Sequence, residues 1–246
     1  MLQTEHLYLF LFILPIVSFL YASVGHGGAS GYLALMSLFS FAPETMKPTA
    51  LLLNLFVSSI SFYYYFKEGH FNKNLFLSFA ITSIPFAFLG GILDVDASLY
   101  KKILAVLLVF SILKMLNVFG AKSDSIKDIK PWQGLALGAI IGFFSGLIGI
   151  GGGIILTPII LLLHWGNMKT AAAVSALFIF VNSASGFAGQ LTTGVTLETN
   201  IFILVAVAII GAILGSYYGS KISNNKQLKH MLAFVLAIAC LKLMFT

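Results

Sequence analysis

Arginine is absent: all 14 basic residues of the 246-residue chain are lysine. The bidentate fork that reads phosphate and guanine is therefore missing, and the net charge of +6 does not point to nucleic acid. Cysteine occurs once, at Cys240, which excludes a disulfide framework and a multi-cysteine metal site. Charge is scarce: 9% of residues carry one, against about 25% in an ordinary soluble domain. A water-soluble surface cannot be built from so few charges, so a soluble globular enzyme is not expected. No histidine or cysteine pair has ligand spacing, and the nearest carboxylate pair, Asp94 and Asp96, falls in a loop between apolar stretches. No enzyme chemistry, metal or cofactor is expected. Lysine is missing from Met1 to His6, so a signal-peptide start is missing too, and the first apolar run is expected to persist.

What the chain has is apolar surface. Apolar residues make up 59%, 23 residues are Phe, and the mean hydropathy is +1.00. Disorder is excluded by the same figures. Apolar stretches run near 7–24, 31–42, 48–66, 75–93 and 99–119, and again near 132–150, 154–163, 168–188, 200–220 and 227–246. Backbone polar groups must pair internally in lipid, so these stretches read as helices. The expected fold is all-α and polytopic, with about eight to ten helices. The polar linker 121–131 divides a first repeat, 1–120, from a second, 132–246.

The two sets match in order. Gly25-His26-Gly27-Gly28 aligns with Gly149-Ile150-Gly151-Gly152, Met46-Lys47 with Met168-Lys169, and Leu89-Gly90 with Leu214-Gly215. Gly69 with Asn74 aligns to within a residue with Gly194 and Asn200, and Leu113-Lys114 aligns with Leu241-Lys242. The offsets stay between 122 and 128, which reads as an internal duplication. Lysine placement sets its sense. If each half crosses the membrane an odd number of times, 10 lysines lie on one face and 4 on the other; even halves give 7 and 7. The positive-inside rule then selects inverted repeats with both termini extracytoplasmic. A re-entrant hairpin in place of the first two spans has the same parity.

The second stretch of each half is too short to span. Residues 31–42 and 154–163 cover about 18 and 15 Å, against a hydrocarbon core of about 30 Å. Each follows a glycine cluster, and glycine disfavours helix by about 1 kcal/mol per residue. A helix that unwinds there and restarts leaves its first N–H groups bare, with roughly half a positive charge at each start. Two such starts, facing each other near the membrane midplane, would make an anion site without arginine. The competing reading is that the glycines serve close helix packing. A dinucleotide fold is excluded, because Ile154 stands where a third glycine would be needed.

Val24-Gly25-His26-Gly27-Gly28-Ala29-Ser30 and the run from Gly142 to Gly153, Gly-Phe-Phe-Ser-Gly-Leu-Ile-Gly-Ile-Gly-Gly-Gly, resemble the paired signatures of the sulfite exporter TauE/SafE family of membrane permeases. Ala173 to Phe178, leading to Asn182-Ser183-Ala184-Ser185-Gly186, is similar as well. The resemblance covers almost the whole chain. It implies transport of a small sulfur-containing or organic anion such as sulfite or a sulfonate. The chain departs from the commoner doubled form at Ala29 and at His26, which stands opposite Ile150.

Substrate-binding candidates are Gly25, His26, Gly27, Gly28, Ser30 and Asn54 in the first half, with Gly149, Gly151, Gly152, Gly153, Asn182 and Ser183 in the second. Asn54 and Asn182 can donate to an oxyanion or hydrogen-bond between helices, and Ser58, Ser59, Ser61 and Ser185 fit the second role better. Thr157 and Gln190 are weaker candidates. His26 is the candidate for proton coupling, since a buried ionisable group in a membrane is costly without a use. Lys47 and Lys169 read as interfacial anchors or as anion attractors at the two mouths. The expected partners are a small anion, the lipid bilayer of the cell membrane, a coupling proton or sodium ion, and no nucleic acid; homo-oligomerisation is open. An anion channel and a non-transporting membrane scaffold are the alternative classes.

Overall fold

The computed structural model describes residues 4–39, 41, 43–93, 126–194 and 201–228, with 230, 231, 233, 234 and 237 beyond them. The expected segment 99–119, linker residues 121–125, most of the segment 227–246, and Asp94, Asp96, Asn200 and Cys240 lie outside the described residues. Within them the fold is all-helical. The helices are α1 (Thr4–Ala22), α2 (Ala29–Leu38), α3 (Pro43–Lys67) and α4 (Lys73–Ile92), then α5 (Pro131–Ile148), α6 (Gly153–Leu162), α7 (Met168–Leu191) and α8 (Ile201–Tyr217). A π-helical turn, Tyr218–Ile222, closes α8.

Local chemistry sets several boundaries. Asn72 caps α4 by accepting from Leu75 N–H at 3.0 Å, and Asn167 caps α7 by accepting from Thr170 N–H at 2.9 Å. Pro131 opens α5 at a position where a missing N–H costs nothing. Glu44 in the first turn and Lys67 in the last turn of α3 complement its dipole. Pro15, Pro85 and Pro158 stand inside α1, α4 and α6, and Pro48 stands inside α3.

Among the described residues, five helices are long and apolar enough to cross a membrane: Glu44–Lys67, Lys73–Ile92, Pro131–Ile148, Met168–Leu191 and Ile201–Ile222. α2 and α6, at ten residues each, are too short, in line with the two short apolar stretches. Polarity is distributed opposite to that of a soluble protein. Phe12, Ile81, Ile140, Phe202 and Ile210 are exposed, while Ser18, Asn54, Thr157, Ser175, Asn182 and Ser183 are buried. Outward apolar side chains suit hydrocarbon, and several hydroxyls bond across helices. Ser18 Oγ donates to Ala208 O at 2.7 Å, Thr82 Oγ1 to Leu135 O at 2.6 Å, and Ser185 Oγ to Ile84 O at 2.6 Å. Each is worth about 0.6 kcal/mol in a bilayer.

The packing follows one plan with the halves exchanged. α4 lies against α5 and α7, and α8 lies against α1 and α3. α3 and α7 pack on each other at the centre, with α2 on α3 and α6 on α7. Small residues bring these backbones together. Gly138, Gly142 and Gly146 of α5 face the carbonyls of Phe79, Ser83 and Ala87 on α4, while Gly211 and Gly215 of α8 face those of Pro15 and Phe19 on α1. Gly90 meets Phe143 O as Gly215 meets Phe19 O, two contacts separated by 125 and 124 residues.

At one end of the bundle, three side chains tie loops to helix ends. Tyr65 OH donates to Ser23 O at 2.6 Å, and Lys169 Nζ to Ser220 O at 2.9 Å. His70 Nε2 donates to the same Ser220 carbonyl at 3.3 Å. His70 lies in the turn between α3 and α4, outside the spanning segments. Burial lowers its pKa below the ordinary histidine value; the bond to Ser220 opposes this, Lys169 adds to it, and Glu68 opposes it. The neutral ring is thus favoured in the folded protein, while the unfolded chain takes up its proton near pH 6.5. More protons bind to the unfolded state below that pH, so this contribution to stability is lost as pH falls from about 6.5. In detergent, the melting temperature is expected to drop between pH 7 and 5, and His70→Gln to drop less. Equal slopes for the two proteins would remove His70 from the account.

Candidate functional site

α1 ends in a built stop. His26 N–H bonds Tyr21 O at 2.9 Å and Gly25 N–H bonds Ala22 O at 3.0 Å, the paired closure of a Schellman motif. Gly25, at φ +75°, takes the left-handed position that this closure requires. The chain then runs non-helically through residues 26–28 and restarts at Ala29 as α2. α5 ends comparably, with Gly149 left-handed at φ +83° and its N–H on Ser145 O at 2.9 Å. Gly151 and Gly152 are left-handed as well, and α6 starts at Gly153.

The two breaks meet around one side chain. Asn54 of α3 accepts the Ala29 N–H on Oδ1 at 3.0 Å and donates from Nδ2 to Ser183 Oγ of α7 at 3.2 Å. The expectation of bare amides at both helix starts is corrected at Ala29, because Asn54 reaches over from α3 and occupies that donor. Gly27 and Gly151 flank the same carboxamide. A Cβ at Gly151 would stand 2.7 Å from Asn54 Nδ2 and 2.9 Å from Ser183 Oγ, and one at Gly27 would overlap Asn54 Oδ1. Ile179 of α7 closes on Gly27, Gly151 and Gly153.

His26 makes a second link between the halves. Its Nε2 lies 2.9 Å from Thr157 Oγ1 of α6, and Thr157 donates onward to Ser175 Oγ of α7 at 2.7 Å. All three residues are buried, His26 at 2% exposure. The other ring nitrogen, Nδ1, is buried without a hydrogen-bond partner. His26 lines a small pocket of about 10 Å³, room for about one water molecule, together with Tyr21, Ser30, Ile150, Ile154 and Ile179. Gly27, Gly28 and Ala29 supply the backbone wall. Tyr21 and Ser30 hydroxyls bond at 2.8 Å beside it.

Of the residues singled out from the sequence, His26, Gly27, Gly28 and Ser30 line the pocket, and Asn54, Gly151, Gly153 and Ser183 pack around its rear wall. Four lie elsewhere. Gly25 rests on the Ala172 backbone, and Gly149 on the Lys47 side chain and Leu51. Gly152 faces Ile141 and Phe178, and Asn182 donates to Phe178 O of its own helix at 2.8 Å. The sequence does not single out Tyr21 or Ile179, it presents Ser175 only within the Ala173–Phe178 signature, and it offers Thr157 only as a weaker candidate. Thr157 sits one turn into α6, four residues past Gly153, and that spacing was the available signal. Ile179, being apolar, carried none.

Comparison with known proteins identifies the family. The profile described as Sulfite exporter TauE/SafE matches residues 9–243. The "Probable membrane transporter protein y4hK" of Sinorhizobium fredii is 35% identical over 235 residues, covering 94% of this chain and 95% of that protein. The "Probable membrane transporter protein MJ0441" of Methanocaldococcus jannaschii is 29% identical over 253 residues, covering 93% and 94%. The "Probable membrane transporter protein YdhB" of Bacillus subtilis is 24% identical over 248 residues, covering 96% and 100%. No solved structure matches the chain at comparable significance. A profile that spans nearly the whole sequence, on a bundle of membrane-length helices, makes this chain a member of the sulfite exporter TauE/SafE family of membrane transporters.

Proposed function

We propose that this protein is a secondary carrier of a small anion, sulfite or a sulfonate-like species, in the cell membrane. The anion binds between the two helix breaks and crosses by alternating access of two inverted repeats, 1–120 and 132–246, joined by the linker 121–131. The observation that carries the reading is the convergence of both breaks on one pocket, with His26 on its wall and Asn54 behind it. Helix starts from each half bring about half a positive charge apiece to that place, enough to offset one anionic charge in a membrane without arginine. The exchanged packing of α4 on α5 and α8 on α1 supports the repeat, and the lysine asymmetry of 10 against 4 supports extracytoplasmic termini. Export from a negative-inside cell draws about 2.3 kcal/mol per charge per 100 mV from the potential. Uptake requires a coupled proton or sodium ion, and His26 is the residue we assign to a proton.

Proteoliposomes loaded with labelled sulfite or a sulfonate test this. Saturable efflux, accelerated by unlabelled anion outside, is the expected result. Flux that rises linearly with concentration and ignores external anion makes the protein a channel. No movement of any small anion in either direction removes transport through this site and leaves a scaffold.

A further inference from the structure

The hydrogen-bond chain behind the pocket specifies which protonation state of the cargo fits. A hydroxyl has one hydrogen to give. Thr157 gives its hydrogen to Ser175 Oγ, at 2.7 Å, so toward His26 its oxygen is an acceptor. The 2.9 Å contact to His26 is then made by a hydrogen on Nε2. A neutral imidazole carries one hydrogen only, so Nδ1 holds a bare lone pair. That atom is buried, has no partner, and belongs to a side chain on the pocket wall. An acceptor left bare in such a place costs about 1–3 kcal/mol, and a ligand with a hydrogen to donate relieves it.

We infer that the site takes a small oxyanion in its singly protonated form, which donates its acidic O–H to Nδ1 of His26 while its other oxygens face the backbone amides of the break. Thr157 and Ser175 are positioning residues: they hold the Nε2–H tautomer and so select for the hydrogen on the ligand. This rests on the proposed anion carrier and adds the state of its cargo. A fully deprotonated anion would set its oxygens against the lone pair and leave Nδ1 unpaired. The groups packed around His26 do not supply the hydrogen in its place. Tyr21 of α1, whose ring centroid is 6.4 Å from that of His26, is engaged with Ser30. Tyr32 of α2 lies against Gly28. Asn54 of α3 is held by Ala29 and Ser183, α6 contributes Thr157 and the Gly153 carbonyl, which is an acceptor for the ring and not a donor, and α7 contributes Ser175. Among the described residues, the pocket lining holds no carboxylate and no lysine.

The probes are sulfite, which gains or loses a proton near neutral pH, and methanesulfonate, a permanent monoanion without an acidic hydrogen. Both are measured as labelled flux in proteoliposomes with equal pH on the two sides. Sulfite flux is expected to follow its singly protonated fraction, approaching about tenfold loss per pH unit on the alkaline side, with methanesulfonate about tenfold slower than sulfite at acid pH. Thr157→Val removes the side-chain acceptor that holds the hydrogen on Nε2, leaving only the Gly153 backbone bond, so the hydrogen can move to Nδ1 more readily. It should flatten the pH profile and bring the two anions within about threefold, whereas Thr157→Ser should keep the wild-type pattern. Wild-type flux that is flat with pH and equal for the two anions overturns the inference and leaves the carrier standing. Silence toward both anions at every pH removes the carrier and the inference together.

Discussion

Alanine at Gly151 is expected to reduce flux of the proposed anion about 100-fold and to lower thermal stability by about 2–5 kcal/mol. Two costs add. Gly151 holds φ +73°, a left-handed position where a Cβ costs about 1–2 kcal/mol. The new methyl would also lie 2.7 Å from both Asn54 Nδ2 and Ile179 Cγ2, and 2.9 Å from Ser183 Oγ. Overpacking of that kind costs about 1–3 kcal/mol, and Asn54 cannot turn aside without giving up Ala29 or Ser183. Gly194→Ala separates the two costs. Gly194 has φ +82° and nothing within 4 Å of its would-be Cβ, so it shows the conformational cost alone. Flux assays and melting curves on the pair decide the matter. If the two variants behave alike, Asn54 does not fill the space between the breaks in the way described.

Asn54→Leu is the second large effect. The leucine matches the carboxamide in size but neither accepts from Ala29 N–H nor donates to Ser183 Oγ. Each polar group stranded in a buried site costs about 1–3 kcal/mol, so a loss of flux of at least 100-fold is expected, with a lowered melting temperature. Asn54→Asp should retain the bond to Ala29 and more of the stability. It should still abolish flux, since a carboxylate there repels the proposed anionic cargo. Asn182→Leu is the contrast. Asn182 is as buried, but it donates within its own helix and its Oδ1 has no partner, so flux should stay within about threefold of wild type. Equal losses at Asn54 and Asn182 would show that burial, not the bridge between breaks, sets the effect.

Much of this was legible along the chain because it depends on local composition. Runs of apolar residues long enough to cross a bilayer specify helices, since no other backbone form pairs its own polar groups there. The break after α1 was legible at Gly25, and the break after α5 at Gly149, because a left-handed residue ends a helix wherever it occurs. Asn54 and Asn182 looked alike in the sequence: each is an asparagine within a long apolar run. Their difference lies in partners 25 and 129 residues away for Asn54, against four for Asn182.

Hydropathy and glycine placement by themselves determined that this is a helical membrane protein whose helices end beside Gly25 and Gly149, because both act through residues adjacent in the chain. Only the tertiary structure decided that the interruptions share a pocket, that Asn54 occupies the Ala29 amide, and that Thr157 and Ser175 orient His26. Those outcomes depend on which helices pack side by side, and a hydrogen bond between α1's break and α6 is a matter of distance in space that no spacing along the chain encodes.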